Sequence, residues 1–271
     1  MPKVSVIIPT MKGREEMLAR LISTLPADCE KIVVDDEDLL LAAKRNKCAR
    51  QAKGEYLFFV DDDNYLKDFA LTEMLKAFDE TIGVMGMTAC YADRKMIIAD
   101  GGSDRNFLTG FTSNHFTNER VMDTNLYEVD EVANAFMVPR QVFEDVGGFD
   151  EENFPIELDE ADLCKRIKDM GYAVVMNPKA ICYHASYNYS HIPDFRRQFC
   201  ASYHGRNRIL FSRKHNSNLR YWIYLVVFMP VFVGFYSASL IWRKKPGILW
   251  HFLRGVWDGI LGRKQNQYQK G

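Results

Sequence analysis

Residues 58–66 read FFVDDDNYL, three adjacent carboxylates directly behind an apolar run. Like charges that close repel, and a carboxylate at the end of a buried strand needs a positive partner. On residue type alone the run suits a solvated turn or a helix N-cap, which Asp and Asn both favour. A calcium loop of the EF-hand kind is excluded, because its sixth position must be Gly and counting from Asp61 or Asp62 gives Leu66 or Lys67. What stays is a divalent cation held by one or two carboxylates together with phosphates of a ligand, the usual mode for Mg2+. Three other places carry titratable groups. Asp35 and Asp36 end KIVVDD, the stretch 157–166 reads ELDEADLCKR, and His184 ends NPKAICYH. Read by themselves, the acids of 157–166 are a helix start that the dipole favours, with Asp162 and Arg166 spaced to pair at i,i+4. His184 alone reads as a strand-end histidine bonded to backbone.

Those groups need elements to hold them. VSVIIP is β-branched and apolar; Gly13 opens a helix through REEMLARLISTL, whose Met17, Leu18, Leu21, Ile22 and Leu25 fall at helical spacing. KIVVDD is a second strand, DLLLAAKRNKCARQA a second helix closed by Gly54 as its C-cap, EYLFFVDDD a third strand and LKDFALTEMLKAF a third helix. Continuous apolar strands alternating with amphipathic helices predict an α/β chain with a mostly parallel sheet covered on both faces. In such sheets ligands lie beyond the carboxyl ends of the strands, where both Asp35–Asp36 and Asp61–Asp62–Asp63 fall.

With 271 residues, 47% of them hydrophobic, the chain can bury one large core, alone or with an appendage. Its net charge of −1 hides a strong asymmetry. Residues 196–271 hold 14 Lys and Arg against one acid, Asp258, while the first 195 hold 21 basic and 35 acidic residues. A basic tail behind an acidic head points to something anionic as the tail's partner. The six cysteines show no CxxC pair or other metal-like spacing and read as reduced thiols of a cytosolic protein. The opening MPKVSVIIPT is too short and too soon interrupted for a signal peptide.

Five blocks, VSVIIPT, KIVVDDED, AAKRNKCARQAKGEYLFFVDDDNYL, VPRQVFEDVGGFDEENFPIELDEADLCKRIKDMGY and NPKAICYH, follow in order and spacing a known pattern. Over roughly residues 3–190 the chain resembles family 2 glycosyltransferases of the GT-A fold, in particular rhamnosyltransferase-like enzymes of surface-polysaccharide assembly. The resemblance implies a GT-A sheet flanked by helices and a metal-dependent, inverting transfer of a hexosyl-type sugar. The donor would be a nucleotide-diphosphate sugar (UDP-, dTDP- or GDP-linked), and the acceptor a hydroxyl on a lipid-linked or glycan molecule. The DxD motif would be Asp61 and Asp63, ligating Mn2+ or Mg2+ with His184 as third ligand, and Asp62 would be its middle residue. Pro9, Thr10, Asp35 and Asp36 would frame the nucleotide, although the family's usual Asp-Gly-Ser continuation is DDED here. Arg45 and Asn46 match the family's Arg-Asn pair and would hold the negative donor; Asn134 falls where donor-sugar contacts occur. Glu160 lies on the family's catalytic Asp and Asp159 on the Glu before it, so either carboxylate is a candidate general base. Two other functions fit parts of the pattern. A nucleotidylyltransferase would begin with a Gly-rich basic loop, which IIPTMKGREEML matches poorly, and a membrane-tethered nucleotide-sugar binder would keep the site without turnover.

The expected domains are a GT-A unit over 1–215 and a basic, apolar membrane-anchoring tail over 216–271. Residues 221–242, YWIYLVVFMPVFVGFYSASLIW, carry no charge and are long enough to cross a bilayer, with aromatics at both ends. Pro230 and Gly234 in mid-segment make a re-entrant hairpin the alternative, and the matched basic flanks give no vote for either side. Residues 247–262 repeat apolar pairs every four residues, the pattern of a helix lying along a membrane surface. The expected location is the cytoplasmic membrane with the catalytic domain on the cytoplasmic side; nucleic acid is not an expected partner.

Overall fold

The apolar opening forms β1 (Val4–Pro9), buried along its whole length, as a strand covered on both faces must be. In the computed structural model, which describes residues 3–121, 125–185 and 194–264, a strand-and-helix series follows. It runs α1 (Glu15–Thr24), β2 (Glu30–Val34), α2 (Leu41–Ala49), β3 (Tyr56–Val60), β4 (Asn64–Leu66), α3 (Ala70–Ala77) and β5 (Ile82–Tyr91). Short strands come next: β6 (Ile98–Asp100), β7 (Ser103–Arg105), β8 (Thr112–Asn114) and β9 (Tyr127–Glu128). The series closes with β10 (Ala135–Pro139), α4 (Arg140–Asp145), α5 (Asp159–Asp169) and β11 (Ala173–His184). The remaining helices are α6 (Asp194–His215), α7 (Asn218–Ile223), α8 (Met229–Trp242) and α9 (Pro246–Ile260), with a π-helical stretch, Tyr224–Phe228, between α7 and α8.

The chain divides into two units. The first comprises residues 1–104, 113–150 and 160–188 and holds the sheet, ordered β2-β1-β3-β10-β5-β11-β4 among the described residues. β2, β1, β3, β5 and β11 run in one direction, and β10 is inserted between β3 and β5 in the opposite sense. Alternate residues of the strands feed two cores. Val4, Val6, Ile8, Phe58, Val60 and Met137 face one. Ile7, Leu57, Phe59, Phe136 and Val138 face the other, where Phe59 stacks near Phe136, Phe143 and Phe149. Buried on both faces, the strands read as unbroken apolar runs.

Two details differ from the sequence expectation. The second helix stops at Ala49, so Gly54 is not its C-cap. Gly54 instead passes so close to β1 that a Cβ there would come within 2.5 Å of the Ser5 nitrogen, and its own N–H donates to Ser5 Oγ at 2.8 Å. The third strand ends at Val60, and after a turn the chain resumes as β4, antiparallel to the end of β11. All six cysteines are free. Burial pushes the Cys164 thiol up to about 12, as expected of inert core filler.

The second unit comprises residues 105–112, 151–159 and 189–271. Its centre is the packing of α9 along α6. Glycines make the approach possible: a Cβ on Gly205 would come within 2.6 Å of the Phe252 carbonyl, and one on Gly255 would run into the Ser202 backbone. The helix from Asn218 to Trp242 continues through Pro230 and Gly234 without the break a hairpin would need, and it is long and apolar enough to cross a membrane. Its inner side meets α6 and α9 in two small cores around Phe252 and around Ile209. The final residues of the expected anchoring tail, 265–271, lie outside the described residues.

Candidate active site

The triple Asp forms the corner between β3 and β4, and the pairing of β4 with β11 sets what stands beside it. The register places His184 opposite Asn64, and the Ala185 N–H donates to the Asp63 carbonyl at 2.9 Å. His184 Nε2 consequently lies 3.3 Å from Asp63 Oδ1, although the two residues are 121 positions apart in sequence. The three carboxylates do not share one environment. Asp62 points back to β1, where it accepts from Thr10 Oγ1 at 2.6 Å and makes a close ion pair with Arg14 Nη1. Burial pushes its acidity towards the neutral form, and the bonds from Thr10 and Arg14 oppose that. Asp63 Oδ2 is 3.6 Å from the same guanidinium. Asp61, expected as a metal ligand beside Asp63 and His184, turns the other way and accepts from Arg45.

Arg45 joins the two acidic regions of the first unit. Its side chain is fully buried on α2, near the faces of Phe136 and Phe149, with centroids 5.8 and 5.4 Å from the guanidinium carbon. Nη2 donates to Asp61 Oδ1 at 2.9 Å and to Glu160 Oε1 at 2.8 Å. Asn46, the next residue, clamps the backbone of Phe149 in both directions, at 2.9 and 3.0 Å. The two candidate bases differ in access. The Glu160 side chain is 21% exposed, whereas Asp159 is buried. Asp162 pairs with Arg166 at 2.8 Å, the expected i,i+4 contact.

The other predicted positions lie at the neighbouring strand ends. Pro9 ends β1 and Thr10 follows it, its N–H donating to the Val34 carbonyl at the end of β2. Asp35 is exposed just beyond. Asp36 accepts from Lys47 Nζ at 2.9 Å, and that hydrogen bond holds its carboxyl below the usual range. Lys44 Nζ donates to the Thr10 carbonyl at 2.7 Å, and burial lowers its pKa. Asn134 has a left-handed backbone at φ 64°, its carbonyl accepts from the Asp61 N–H, and its amide donates to Asp100 at 3.0 Å.

Three residues here escaped the sequence reading. Arg14 is the countercharge of Asp62, and nothing in GREEML marks it. Asp100 is half-buried in the first unit, and its carboxylate accepts from the Asn134 amide; its one signal is an acid followed by two glycines, and a turn closes from Gly102 N–H to Oδ1 at 2.8 Å. Asn207, within the second unit, is fully buried in α6 and donates to the carbonyls of Ile156 and Glu157, each at 2.8 Å. That brace holds a costly turn: Glu157 and Leu158 sit consecutively in the left-handed region, at φ 65° and 63°, immediately before Asp159 and Glu160. Its signal was a buried-length helix interrupted by the polar run HGRNR.

The Asp63–His184 pair offers a carboxylate oxygen and an imidazole nitrogen side by side, a donor set that suits Mn2+ better than Mg2+, which prefers oxygen ligands. Among the described residues no group of three His, Cys, Asp or Glu forms a cage. The pair therefore fits a cation that takes its other ligands from phosphate oxygens and water, which is how such ions are held at diphosphates.

A family model described as glycosyltransferase like family 2 matches residues 2–211. The chain is 25% identical to the uncharacterized protein y4gI of Sinorhizobium fredii over 73% of its own length. It spans about a quarter, 26%, of that relative. Among solved structures it is similar to the mannosyltransferase PcManGT of Pyrobaculum calidifontis in complex with GDP-Man and Mn2+. That likeness has a TM-score of 0.56 and 12% identity, over 97% of this chain and 88% of the other. It is similar also to GalNAc-T7 solved with UDP, GalNAc and Mn2+, with a TM-score of 0.56 and 13% identity, over 83% of this chain and 56% of the other. At these identities the likeness is one of fold, the GT-A arrangement of a mixed sheet between helices.

Proposed function

The chain belongs to glycosyltransferase-like family 2, and we propose that it transfers a sugar from a nucleoside-diphosphate donor to an acceptor hydroxyl, with inversion and with a divalent metal. The observation that carries the reading is the Arg45 bridge: one buried guanidinium holds both Asp61 of the DxD corner and Glu160 at the head of α5. A donor whose diphosphate lies at the corner thus has its anomeric carbon presented towards a carboxylate. Pro9, Thr10, Asp35 and Asp36, at the ends of β1 and β2, frame the nucleotide in this reading, where a parallel sheet binds its ligands. Asp63 and His184 would hold the Mn2+ or Mg2+, which when bound would supply positive charge to the leaving diphosphate. Neighbours of the same fold, solved with GDP-Man or UDP and with Mn2+, support a nucleotide-sugar donor and a metal.

In the transfer, Glu160 takes the proton of the acceptor hydroxyl as its oxygen attacks the anomeric carbon. The bond from that carbon to the diphosphate breaks on the opposite side, and the configuration inverts. Arg45 keeps the base and the corner in fixed relation, so attack and departure are aligned before the acceptor arrives. In this reading the basic, apolar tail holds the chain at a membrane, and a lipid-linked acceptor is the substrate that location favours. The reading is tested with a panel of UDP-, dTDP- and GDP-sugars, scored by released nucleoside diphosphate with Mn2+ and with chelator. One donor releasing nucleoside diphosphate only when metal is present is the expected result. Release of pyrophosphate instead, or binding with no release in the presence of acceptor, overturns it.

Asn207 gives a second expectation. Without its two hydrogen bonds the left-handed turn before the acids relaxes, and a small displacement of a reacting group costs up to about 10²-fold in rate. Asn207→Ala should therefore lower kcat by about 10- to 100-fold with the donor KM little changed. Parallel melting curves separate this from unfolding: a KM that rises together with a lost transition would mean that Asn207 only supports the fold.

A further inference from the structure

The tryptophans of this chain are confined to its second unit. All four lie between positions 222 and 257, and all are exposed: Trp222 by 58%, Trp242 by 84%, Trp250 by 68% and Trp257 by 57%. Large apolar side chains turned to water in such number mark a binding surface. Val231 and Phe235, 61% and 77% exposed, continue it along the middle of the 218–242 helix. The opposite side of that helix is committed to its own unit. Tyr224, Met229 and Leu240 are buried there, Arg213 Nη2 donates to the Tyr221 hydroxyl at 2.7 Å, and the His204 ring lies 5.2 Å from that of Tyr236. Most telling is Arg208 of α6, whose guanidinium carbon stands 4.3 Å from the centre of the Phe232 ring. Phe232 is near the middle of the 25-residue apolar helix. If the helix crossed a bilayer in this packing, it would carry Arg208 to the hydrocarbon midplane, where a guanidinium is strongly disfavoured.

We infer that the second unit docks on an anionic lipid bilayer with the 218–242 helix lying in the plane of the surface, neither crossing nor re-entering, and the four tryptophans seated in one interface. The inference rests on the membrane-associated reading above and adds to it the depth and direction of the helix. α9 adds Trp250, Leu253 and Trp257, exposed at the i, i+3, i+7 spacing of one helix face, and Trp is the side chain that prefers the headgroup level. Exposed Arg220, Arg243, Lys244, Arg254, Arg263 and Lys264 accompany the apolar residues. Only one acid, Asp258, occurs from 196 onward, and it is buried. That charge commits the occupant to anionic headgroups rather than to an apolar protein partner.

The full chain, added to vesicles of phosphatidylcholine with and without phosphatidylglycerol, should show a blue-shifted tryptophan emission and float with the lipid. Its affinity should be about tenfold or more higher with the anionic lipid. Vesicles brominated near the headgroup or near the chain ends then report depth. Shallow bromines should quench more strongly, and Val231→Trp, which adds an indole at the centre of the helix, should leave the shallow-to-deep ratio unchanged. If Val231→Trp is quenched chiefly by the deep bromines, the helix enters the hydrocarbon core; the in-plane inference falls and the membrane reading stands. An absence of vesicle binding overturns both and leaves the transferase reading to the donor panel. Self-association in place of vesicle binding would assign the face to a second copy and equally overturn it.

Discussion

Glu160→Gln lowers sugar transfer by about 10²- to 10⁴-fold, the usual contribution of a positioned general base, while the affinity for the nucleotide stays within a few-fold. The substitution keeps the length of the side chain and an oxygen for Arg45 to bond, so the bridge to Asp61 keeps its geometry. What is lost is the ability to accept the acceptor's proton. Asp159→Asn loses less, because Asp159 is buried at the start of α5 whereas Glu160 retains access to solvent and thus to an acceptor. The two variants are compared by initial rates at saturating donor, with nucleotide affinity measured separately. The anomeric configuration of the product, read by NMR, is the independent check. Retention would mean that the sugar is not displaced directly by the acceptor, and equal losses in both variants would remove the distinction between the two carboxylates.

The parts of this site that local sequence makes visible are those set by strand ends. An apolar run followed by acids, as in KIVVDD and FFVDDD, has to place its carboxylates at the carboxyl edge of a sheet, and β2 and β3 do so. Direction within the sheet was not visible. AFMVP is as apolar as its parallel neighbours, and only the tertiary pairing reveals β10 to be reversed between β3 and β5. The three residues of β4 were lost for a related reason: NYL is too short for any period, and it becomes a strand because the end of β11 is there to pair with it. That pairing brings His184 to Asp63. Arg45 read as a cation for the donor's negative charge, but its side chain is buried between rings and bonded to carboxylates 16 and 115 positions away. No spacing rule encodes such a contact. The organisation of the helical region was hidden in the same way. The tail was expected to begin at 216, yet the compact unit observed also includes 105–112, 151–159 and α6, joined by side chains such as Asn207 and Asn216 to carbonyls far off in sequence. The hydropathy of 221–242 is that of a membrane span; its packed inner face, which argues for another arrangement, depends on α6 and α9 and leaves no trace in a window average.

Asp63→Asn abolishes measurable transfer while the protein keeps its fold. The two halves of this expectation come from different contacts. The fold is spared because Asn is nearly isosteric, because the Ala185 N–H bonds to the carbonyl of residue 63 rather than to its side chain, and because Arg14 keeps Asp62 as its closer partner. Transfer is lost because the amide offers a neutral oxygen beside His184 where the carboxylate offered a charge. A cation held there by one carboxylate and one imidazole would rely on that charge more than one in a cage of several acids. His184→Ala leaves the charge and removes one ligand, so it raises the Mn2+ concentration needed for half-maximal rate without abolishing turnover. The loss of affinity should be visible without any reaction, as weakened Mn2+ binding in the presence of nucleoside diphosphate followed by electron paramagnetic resonance. Asp62→Asn is the control: Asp62 faces Thr10 and Arg14 rather than His184, so it should alter stability more than metal dependence. Should Asp63→Asn transfer sugar at the parent rate, with Mn2+ bound as before, the corner between β3 and β4 is not where the metal sits, and the diphosphate has to be placed elsewhere along the strand ends.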